Sequence, residues 1–139
     1  MSESIKQDQE DLIDEFQMFD NWLDKYQYLI DLGRKLPDFP EAASNEDNRL
    51  HGCQSQVWLT AAEANNKLSF SAISDSAIVS GLIAVVMRIY SNRAPAEILA
   101  TQPDFIDAIG LHEHLSPTRS NGLHAMIGAI REHAARCAG

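Results

Sequence analysis

Residues Ser55 to Ile73 read SQVWLTAAEANNKLSFSAI, a stretch with two candidate strands and a candidate turn between them. From Lys67 to Ile73 apolar residues alternate with polar ones, which is the period of a strand with one buried face. Asn65-Asn66 comes directly before that run, and asparagine tolerates the positive φ that a two-residue hairpin turn requires. The sequence therefore predicts an antiparallel hairpin with strands at about Ser55–Ala64 and Lys67–Ile73.

A further strand is predicted on the N-terminal side of the hairpin. It is short and ends near His51, and Gly52 allows a tight turn after it. This arrangement gives a small antiparallel sheet of about three strands. Cys53 is then expected in the loop that joins the first two strands.

Helical patterns precede this sheet. Apolar residues recur at helical spacing from about Asp8 to Phe19. A second helix is expected after a cap at Asp20, with a stop at Gly33. Its apolar stripe is predicted to comprise Trp22, Leu23, Tyr26, Leu29 and Ile30.

Helical patterns also follow the sheet. Ser74-Asp75-Ser76 offers cap residues for AIVSGLIAVVMRIY, which is apolar on nearly every side and predicts a central buried helix. Short helices are expected from Pro95 and from Pro103 or Asp104, and a last helix from Ser116-Pro117. The stripe of that helix comprises Leu123, Met126, Ile127, Ile130 and Ala134. The order of helices, sheet and helices predicts an α+β fold with helices packed on the sheet.

Length and charge limit the classes of function. A chain of 139 residues is expected to form a single domain, residues 1–139. A net charge of −9 argues against nucleic acid or an anionic membrane as partner, because phosphate binding depends on clustered Lys and Arg. The sequence shows no signal peptide and no apolar run of the about 20 residues that span a bilayer. Two cysteines without a secretion signal indicate free thiols in the cytoplasm.

Cys53 lies in a polar, glycine-containing stretch, RLHGCQSQVWL, and four roles for it are open. A buried packing residue is the common role of a free cysteine, but Gly52 and the polar residues that follow favour an accessible thiol. A metal site needs several ligands at suitable spacing, but the sequence has no CxxC pair, and its histidines and Cys137 are scattered. A disulfide with Cys137 is disfavoured by the reducing compartment. A hydrolase nucleophile needs an aligned imidazole, and a thiol that carries a group covalently is the fourth role.

Three motifs resemble the SufE family of sulfur acceptors for cysteine desulfurases, which includes the CsdE proteins. The first is Gly52-Cys53-Gln54-Ser55-Gln56-Val57-Trp58, and the second is Ser74-Asp75-Ser76-Ala77-Ile78-Val79 with the apolar run behind it. The third is Leu115-Ser116-Pro117-Thr118-Arg119-Ser120-Asn121-Gly122-Leu123. The resemblance runs from about Asp11 to the C-terminus with the motifs in the family's order.

The resemblance implies a fold shared with IscU-type scaffold proteins and a function in sulfur transfer. The implied partner is a cysteine desulfurase of the SufS or CsdA kind, which carries the pyridoxal phosphate, so that this chain needs no cofactor and no metal. Cys53 matches the acceptor cysteine that receives persulfide sulfur, and the chain is expected to stimulate the desulfurase without being an enzyme. Sulfur then passes to an Fe–S scaffold or another acceptor. The free protein is expected to be a monomer or a weak homodimer.

The resemblance also implies roles around Cys53. Arg119 matches a family arginine, which implies that it favours the thiolate or persulfide anion of Cys53 or orients the loop. Its alternative role is that of a surface or helix-capping arginine. Asp75 matches a family aspartate near the loop, and its alternative role is the N-cap of the central helix. Gln54 and Ser55 offer amides to the sulfur or shape the turn. His51 departs from the family pattern, so no essential base is expected there.

Two other residues have simpler expected roles. Trp58 is expected to belong to the core, and Cys137 matches no family motif and is expected to be inert. The alternative functions are a cysteine-dependent hydrolase or thiol oxidoreductase, and a scaffold for an Fe–S cluster or zinc.

Overall fold

The computed structural model describes residues 5–36, 39, 41–50 and 56–138, without the side chains of His112 and Ala138. Among these residues the helices are α1 (Ile5–Gln17), α2 (Trp22–Arg34), α3 (Ala77–Tyr90), α4 (Pro95–Ala100), α5 (Asp104–Ile109), α6 (Leu111–His114) and α7 (Pro117–Ala138). The strands are β1 (Val57–Ala64) and β2 (Lys67–Ser74), and short 3₁₀ turns cover Glu41–Ala43 and Glu46–Asn48. None of the described helices is long and apolar enough to cross a membrane.

The two strands form the predicted antiparallel hairpin. Val57 pairs with Ser74 at one end and Ala64 with Lys67 at the other. Asn65 and Asn66 form the turn with φ values of 56° and 65°, the left-handed conformation that asparagine tolerates. The α+β class is confirmed, since helices pack around this small sheet.

The prediction of about three strands was wrong in its count over the described residues. In place of the first strand there is a single bridge between Arg49 and Trp58. The reason is local: Asn45 caps the 3₁₀ turn at Glu46–Asn48 by accepting a hydrogen bond from the Asn48 N–H at 3.2 Å. The chain therefore curls until Arg49 and reaches the sheet with too few residues to form a strand. The expected end of that strand at His51 lies outside the described residues.

Helix α3 is the centre of the core, as its sequence predicts. Ser76 is its N-cap, and most of its residues between Val79 and Tyr90 are buried. Gly33 was predicted to stop α2, but the helix continues to Arg34. A Cβ added at Gly33 would lie 2.7 Å from the Gly81 backbone nitrogen, so the glycine serves the close crossing of α2 and α3. The cap of α2 is Asn21, and not Asp20 as predicted.

The apolar stripes are only partly as predicted. Every residue expected in the stripe of α7 is buried. In α2, however, Leu29 is buried whereas Leu23 is 79% exposed. Each helical residue turns about 100° around the axis, so Leu23 lies well off the face that Trp22, Tyr26 and Leu29 share.

Candidate functional site

The proposed acceptor segment lies outside the described residues. It comprises residues 51–55 and contains the predicted site residues His51, Gly52, Cys53, Gln54 and Ser55. The structure describes the residues on both sides of it. Arg49 and Leu50 before the segment and Gln56 to Trp58 after it form the base of the segment.

The two ends of the segment are brought together by backbone pairing. The Leu50 N–H donates to the Val57 carbonyl oxygen at 2.8 Å, and Arg49 bridges Trp58. The Arg49 guanidinium carbon lies 5.9 Å from the centroid of the Trp58 ring, within the range of a cation–π contact. Trp58 is half-buried, so the prediction that it belongs to the core is only partly confirmed. The residues that flank the segment, Leu50 and Gln56, are thus held close together at the start of β1.

Asp75 holds the residue at which the segment ends. Its carboxylate accepts a hydrogen bond from the Gln56 N–H at 3.0 Å, and its own N–H donates to the Gln56 carbonyl oxygen at 3.3 Å. The interpretation of Asp75 as N-cap of α3 was wrong, because the Ser76 Oγ accepts the hydrogen bond from the Val79 N–H. A Ser-Asp-Ser sequence contains three cap candidates, so the sequence alone did not show which one caps the helix. The structure brings Asp75 to the base of the segment.

Arg119 lies in the first turn of α7. Ser116 precedes the helix and its Oγ accepts from the Arg119 N–H at 3.3 Å, which confirms the predicted start at Ser116-Pro117. The Arg119 side chain is exposed. Its predicted action on Cys53 involves a residue that is not described, so that role stays a prediction.

The described histidines are held in structural contacts or lie on the surface. The ring of His114 stacks on Trp22 with centroids 4.0 Å apart. His133 is 3.1 Å from a guanidinium nitrogen of Arg136, and burial followed by the charge of Arg136 lowers the pKa of His133. Within the described residues no three His, Cys, Asp or Glu side chains form a group that could hold a metal ion. The predicted absence of a metal site in the whole chain stays a prediction.

The surroundings of Cys137 do not favour its thiolate, the form in which a cysteine is reactive. It is exposed near the end of α7. Desolvation, then a hydrogen bond and repulsion from Glu63, raise the pKa of the Cys137 thiol. A raised pKa keeps the thiol protonated at neutral pH and makes it a poor nucleophile. Glu63 lies near the turn of the hairpin, whereas Gln56 and Val57 lie at its other end.

Comparisons with known proteins agree with this architecture. Residues 10–134 match the model of the SufE family, described as an Fe-S metabolism associated domain. A SufE-like protein of Rhizobium meliloti (strain 1021), described as uncharacterized, is 42% identical over 128 residues, 88% of this chain and 91% of that protein. A second, from Rhizobium etli, is 43% identical over 128 residues, 88% of this chain and 86% of that protein.

A solved structure supports the fold independently. The solution structure of a hypothetical protein from Thermus thermophilus matches with a TM-score of 0.76, 94% of this chain and 95% of that chain being covered. Its sequence identity of 20% means that this likeness concerns the fold alone. The family match covers most of the chain and the Rhizobium relatives are well above 30% identical, so this chain belongs to the SufE family.

Proposed function

We propose that this chain is a sulfur carrier that accepts persulfide sulfur from a pyridoxal-phosphate cysteine desulfurase on Cys53. Membership of the SufE family supports a role in sulfur transfer linked to cysteine desulfurases. The observation that carries the assignment to Cys53 is the base of the segment that contains it. Leu50 and Asp75 fix the positions at which this polar, glycine-containing segment leaves and rejoins the hairpin.

The proposed transfer is an exchange at sulfur. The Cys53 thiolate attacks the outer sulfur of the desulfurase persulfide, a new S–S bond forms, and the bond to the desulfurase cysteine breaks with that cysteine leaving as thiolate. The number of S–S bonds is unchanged, so no oxidant or reductant is consumed. This chain needs no cofactor of its own for the step, because the pyridoxal phosphate acts in the partner.

The remaining residues of the segment have supporting roles in the proposal. Gln54 and Ser55 offer backbone amides to the anionic sulfur or shape the turn, and Gly52 gives the backbone the freedom to turn. Arg119 favours the thiolate or the persulfide anion by its charge. His51 has no essential role as a base. Asp75 positions the end of the segment through Gln56.

In the cell we propose that the chain stimulates its desulfurase in the cytoplasm and passes the sulfur to an Fe–S scaffold or another acceptor. It acts as an accessory protein and not as an enzyme. A cysteine-dependent hydrolase or thiol oxidoreductase is the alternative. Two of the described histidines have other contacts: His114 stacks on Trp22, and His133 lies beside Arg136.

The test is intact-mass spectrometry after incubation with a cysteine desulfurase, pyridoxal phosphate and L-cysteine. We expect one sulfur atom to be added to Cys53 and to be removed by a reductant. Cys53→Ser should fold, fail to take up sulfur and fail to stimulate the desulfurase. Cys137→Ser is the matched control and should behave as the unmodified protein. Stimulation that survives Cys53→Ser would disprove the assignment of the acceptor.

A further inference from the structure

The start of α2, the one-turn helix α6 and the start of α7 meet at one corner of the fold. The indole of Trp22, the first residue of α2, stacks on the ring of His114, the last residue of α6, with the centroids 4.0 Å apart and the planes at 18°. About one turn further along α2, the Tyr26 hydroxyl donates a hydrogen bond to the His114 backbone carbonyl. Two side chains of α2 therefore hold His114, one at its ring and one at its backbone.

The Trp22 ring is itself held by further contacts. Gly110 joins α5 to α6 with a φ of 89°, and a Cβ added there would lie 3.4 Å from the Trp22 Cζ2 atom, so the indole lies against this backbone. The Lys25 ammonium is 4.9 Å from the centroid of the indole, within the range of a cation–π contact. These contacts make Trp22 a fixed support for the end of α6.

The chain runs from His114 into the first turn of α7 within three residues. Ser116 lies between them, and its Oγ accepts from the Arg119 N–H at 3.3 Å. Residues 117–120 are all exposed or half-buried, so their own packing does little to fix the turn in place. The position of the turn depends on the residues that flank it: the buried Leu123 on one side, and His114, held by α2, on the other.

We propose that Trp22 and Tyr26 are positioning residues for Arg119. They act through His114, because the stack and the hydrogen bond set where α7 begins, and the start of α7 sets where the Arg119 guanidinium lies. This inference rests on the proposed function, in which the charge of Arg119 favours the anionic sulfur of Cys53. The energy of a charge interaction falls as the distance grows, so a shift of the helix start weakens that action.

The corner lies at the edge of the core, which makes its role measurable. Trp22 and Tyr26 are half-buried and His114 is exposed, whereas the core consists of fully buried side chains. Substitutions away from the buried core usually cost little unfolding free energy. Variants of Trp22 and Tyr26 should therefore stay folded, so that an effect on Arg119 can be separated from loss of the fold.

The first test is hydrogen exchange at the first turn of α7. The Ser120 N–H donates to the Ser116 carbonyl oxygen at 2.9 Å, so the exchange rate of the Ser120 amide reports whether this turn is closed. Trp22→Leu should accelerate that exchange about fivefold, because the support of His114 is lost. Trp22→Phe can still stack and should keep most of the protection. Unchanged exchange of Ser120 in Trp22→Leu would overturn the proposal.

Two further variants complete this test. Tyr26→Phe removes the hydrogen bond to the His114 carbonyl but keeps the ring, so it should accelerate exchange at Ser120 by only about twofold. Phe19→Leu is the matched control, since Phe19 packs on Tyr28 with centroids 4.9 Å apart and removes an aromatic contact of α2 elsewhere. Acceleration at Ser120 in Phe19→Leu equal to that in Trp22→Leu would show a general loss of stability and contradict a positioning role.

The second test measures the rate at which iodoacetamide alkylates Cys53 as a function of pH. Cys137→Ser serves as the background, so that Cys53 is the one thiol that reacts. Arg119→Gln should raise the pH of half-maximal rate by about one unit, because an opposite charge near a thiolate is removed. Trp22→Leu should shift the profile in the same direction by a smaller amount, and Trp22→Phe should restore it.

A double variant shows whether Trp22 acts through Arg119. Trp22→Leu combined with Arg119→Gln should have the same pH profile as Arg119→Gln alone, because no charge is then left to position. Additive shifts would overturn the inference, and so would an unchanged profile in Arg119→Gln. If Cys53 still takes up one sulfur from the desulfurase in either case, the sulfur-carrier function stands without this positioning role. Absence of sulfur uptake by the unmodified protein would instead overturn the proposed function, and the inference with it.

Discussion

The two ends of helix α3 are held by different kinds of interaction. At the N-terminal end, hydroxyl groups and backbone contacts dominate: Ser76 caps the helix, and Gly81 crosses α2 with its backbone against Leu29. At and just beyond the C-terminal end, charges dominate, since Arg88 pairs with Glu15 and Arg93 pairs with Asp8. Among the described residues, the end that carries Asp75 and the base of the acceptor segment has no such ion pair to α1.

The ion pairs that hold α1 to α3 and its C-terminal flank therefore lie at one end of the helix, and the base of the acceptor segment lies at the other. The charged end ties α1 to the core through residues more than 70 positions apart in the chain. The N-terminal end packs its backbone closely against α2, with Gly81 against Leu29. Substitutions at the two ends should therefore differ in how much unfolding free energy they cost, in whether that cost depends on pH, and in whether they affect the base of the acceptor segment.

The largest effect is expected at the helix crossing. In Gly81→Ala the new Cβ would lie 2.2 Å from the Leu29 carbonyl oxygen, which is backbone and cannot rotate away. Helices α2 and α3 must separate, and overpacking of this kind costs about 3 kcal/mol of unfolding free energy. Urea denaturation followed by circular dichroism measures it.

A glycine on α7 is the matched control for that substitution. A Cβ at Gly128 meets nothing within 4 Å, so Gly128→Ala should stabilise the protein by about 0.5–1 kcal/mol through helix propensity. If both alanine variants had the same stability, the close crossing would not be a constraint on this fold.

The next largest effect is expected at Arg93. The Arg93 side chain is 7% exposed, pairs with Asp8 and donates to the Ile89 carbonyl oxygen at 3.0 Å. Asp8→Ala removes this carboxylate from a buried guanidinium, which costs about 2–3 kcal/mol because Asp8 is itself partly exposed. Thermal unfolding measures the loss. Asp8→Asn, which keeps a hydrogen-bond acceptor, should lose less; an equal loss in both variants would show that charge is not the cause.

A smaller, pH-dependent effect is expected at Glu15. Hydrogen bonding to Arg88 is the largest cause that lowers the pKa of Glu15, with a further hydrogen bond from Tyr28. A carboxyl with a lowered pKa in the folded state stabilises the protein above its unfolded pKa, and this contribution disappears as pH falls through the folded pKa. Glu15→Gln should therefore cost up to about 1 kcal/mol at pH 7, the range of partly exposed ion pairs.

The stability of the two proteins should converge as pH falls through the lowered pKa of Glu15, because the carboxyl then becomes protonated in the folded, unmodified chain. Urea midpoints measured between pH 3 and 7 show whether it does. Asp31→Asn, which removes the exposed pair of Asp31 with Arg34, is the control and should have no measurable effect. A constant difference between Glu15→Gln and the unmodified protein at every pH would contradict the assignment.

Much of this architecture could be predicted from the sequence because the signals are local. The Asn65-Asn66 turn, the start of α4 at Pro95 and the start of α7 at Pro117 depend on residues next to one another, and the structure has each where it was predicted. The three family motifs identified the SufE family, which the comparisons confirm.

What the sequence did not reveal depends on contacts between distant residues. Nothing near Gly33 in the chain shows that Gly81 lies against it, so the glycine looked like a helix stop. The ion pair of Arg93 with Asp8 joins residues 85 positions apart. Asp75 was ambiguous for the same reason, since its partner Gln56 lies across the base of the acceptor segment.

The smallest effect on global stability is expected at Asp75, just before the N-cap of α3. Asp75→Ala removes the acceptor of the Gln56 N–H but leaves Ser76 as cap, so the unfolding free energy should fall by no more than about 1 kcal/mol. The local effect should be clearer: hydrogen exchange of the Gln56 amide should accelerate about fivefold, because that amide loses its partner. Asp75→Asn keeps an oxygen acceptor and should restore most of the protection, while Asp31→Ala should leave Gln56 unchanged. If Gln56 exchanges at the same rate in all these variants, Asp75 does not anchor the end of the acceptor segment.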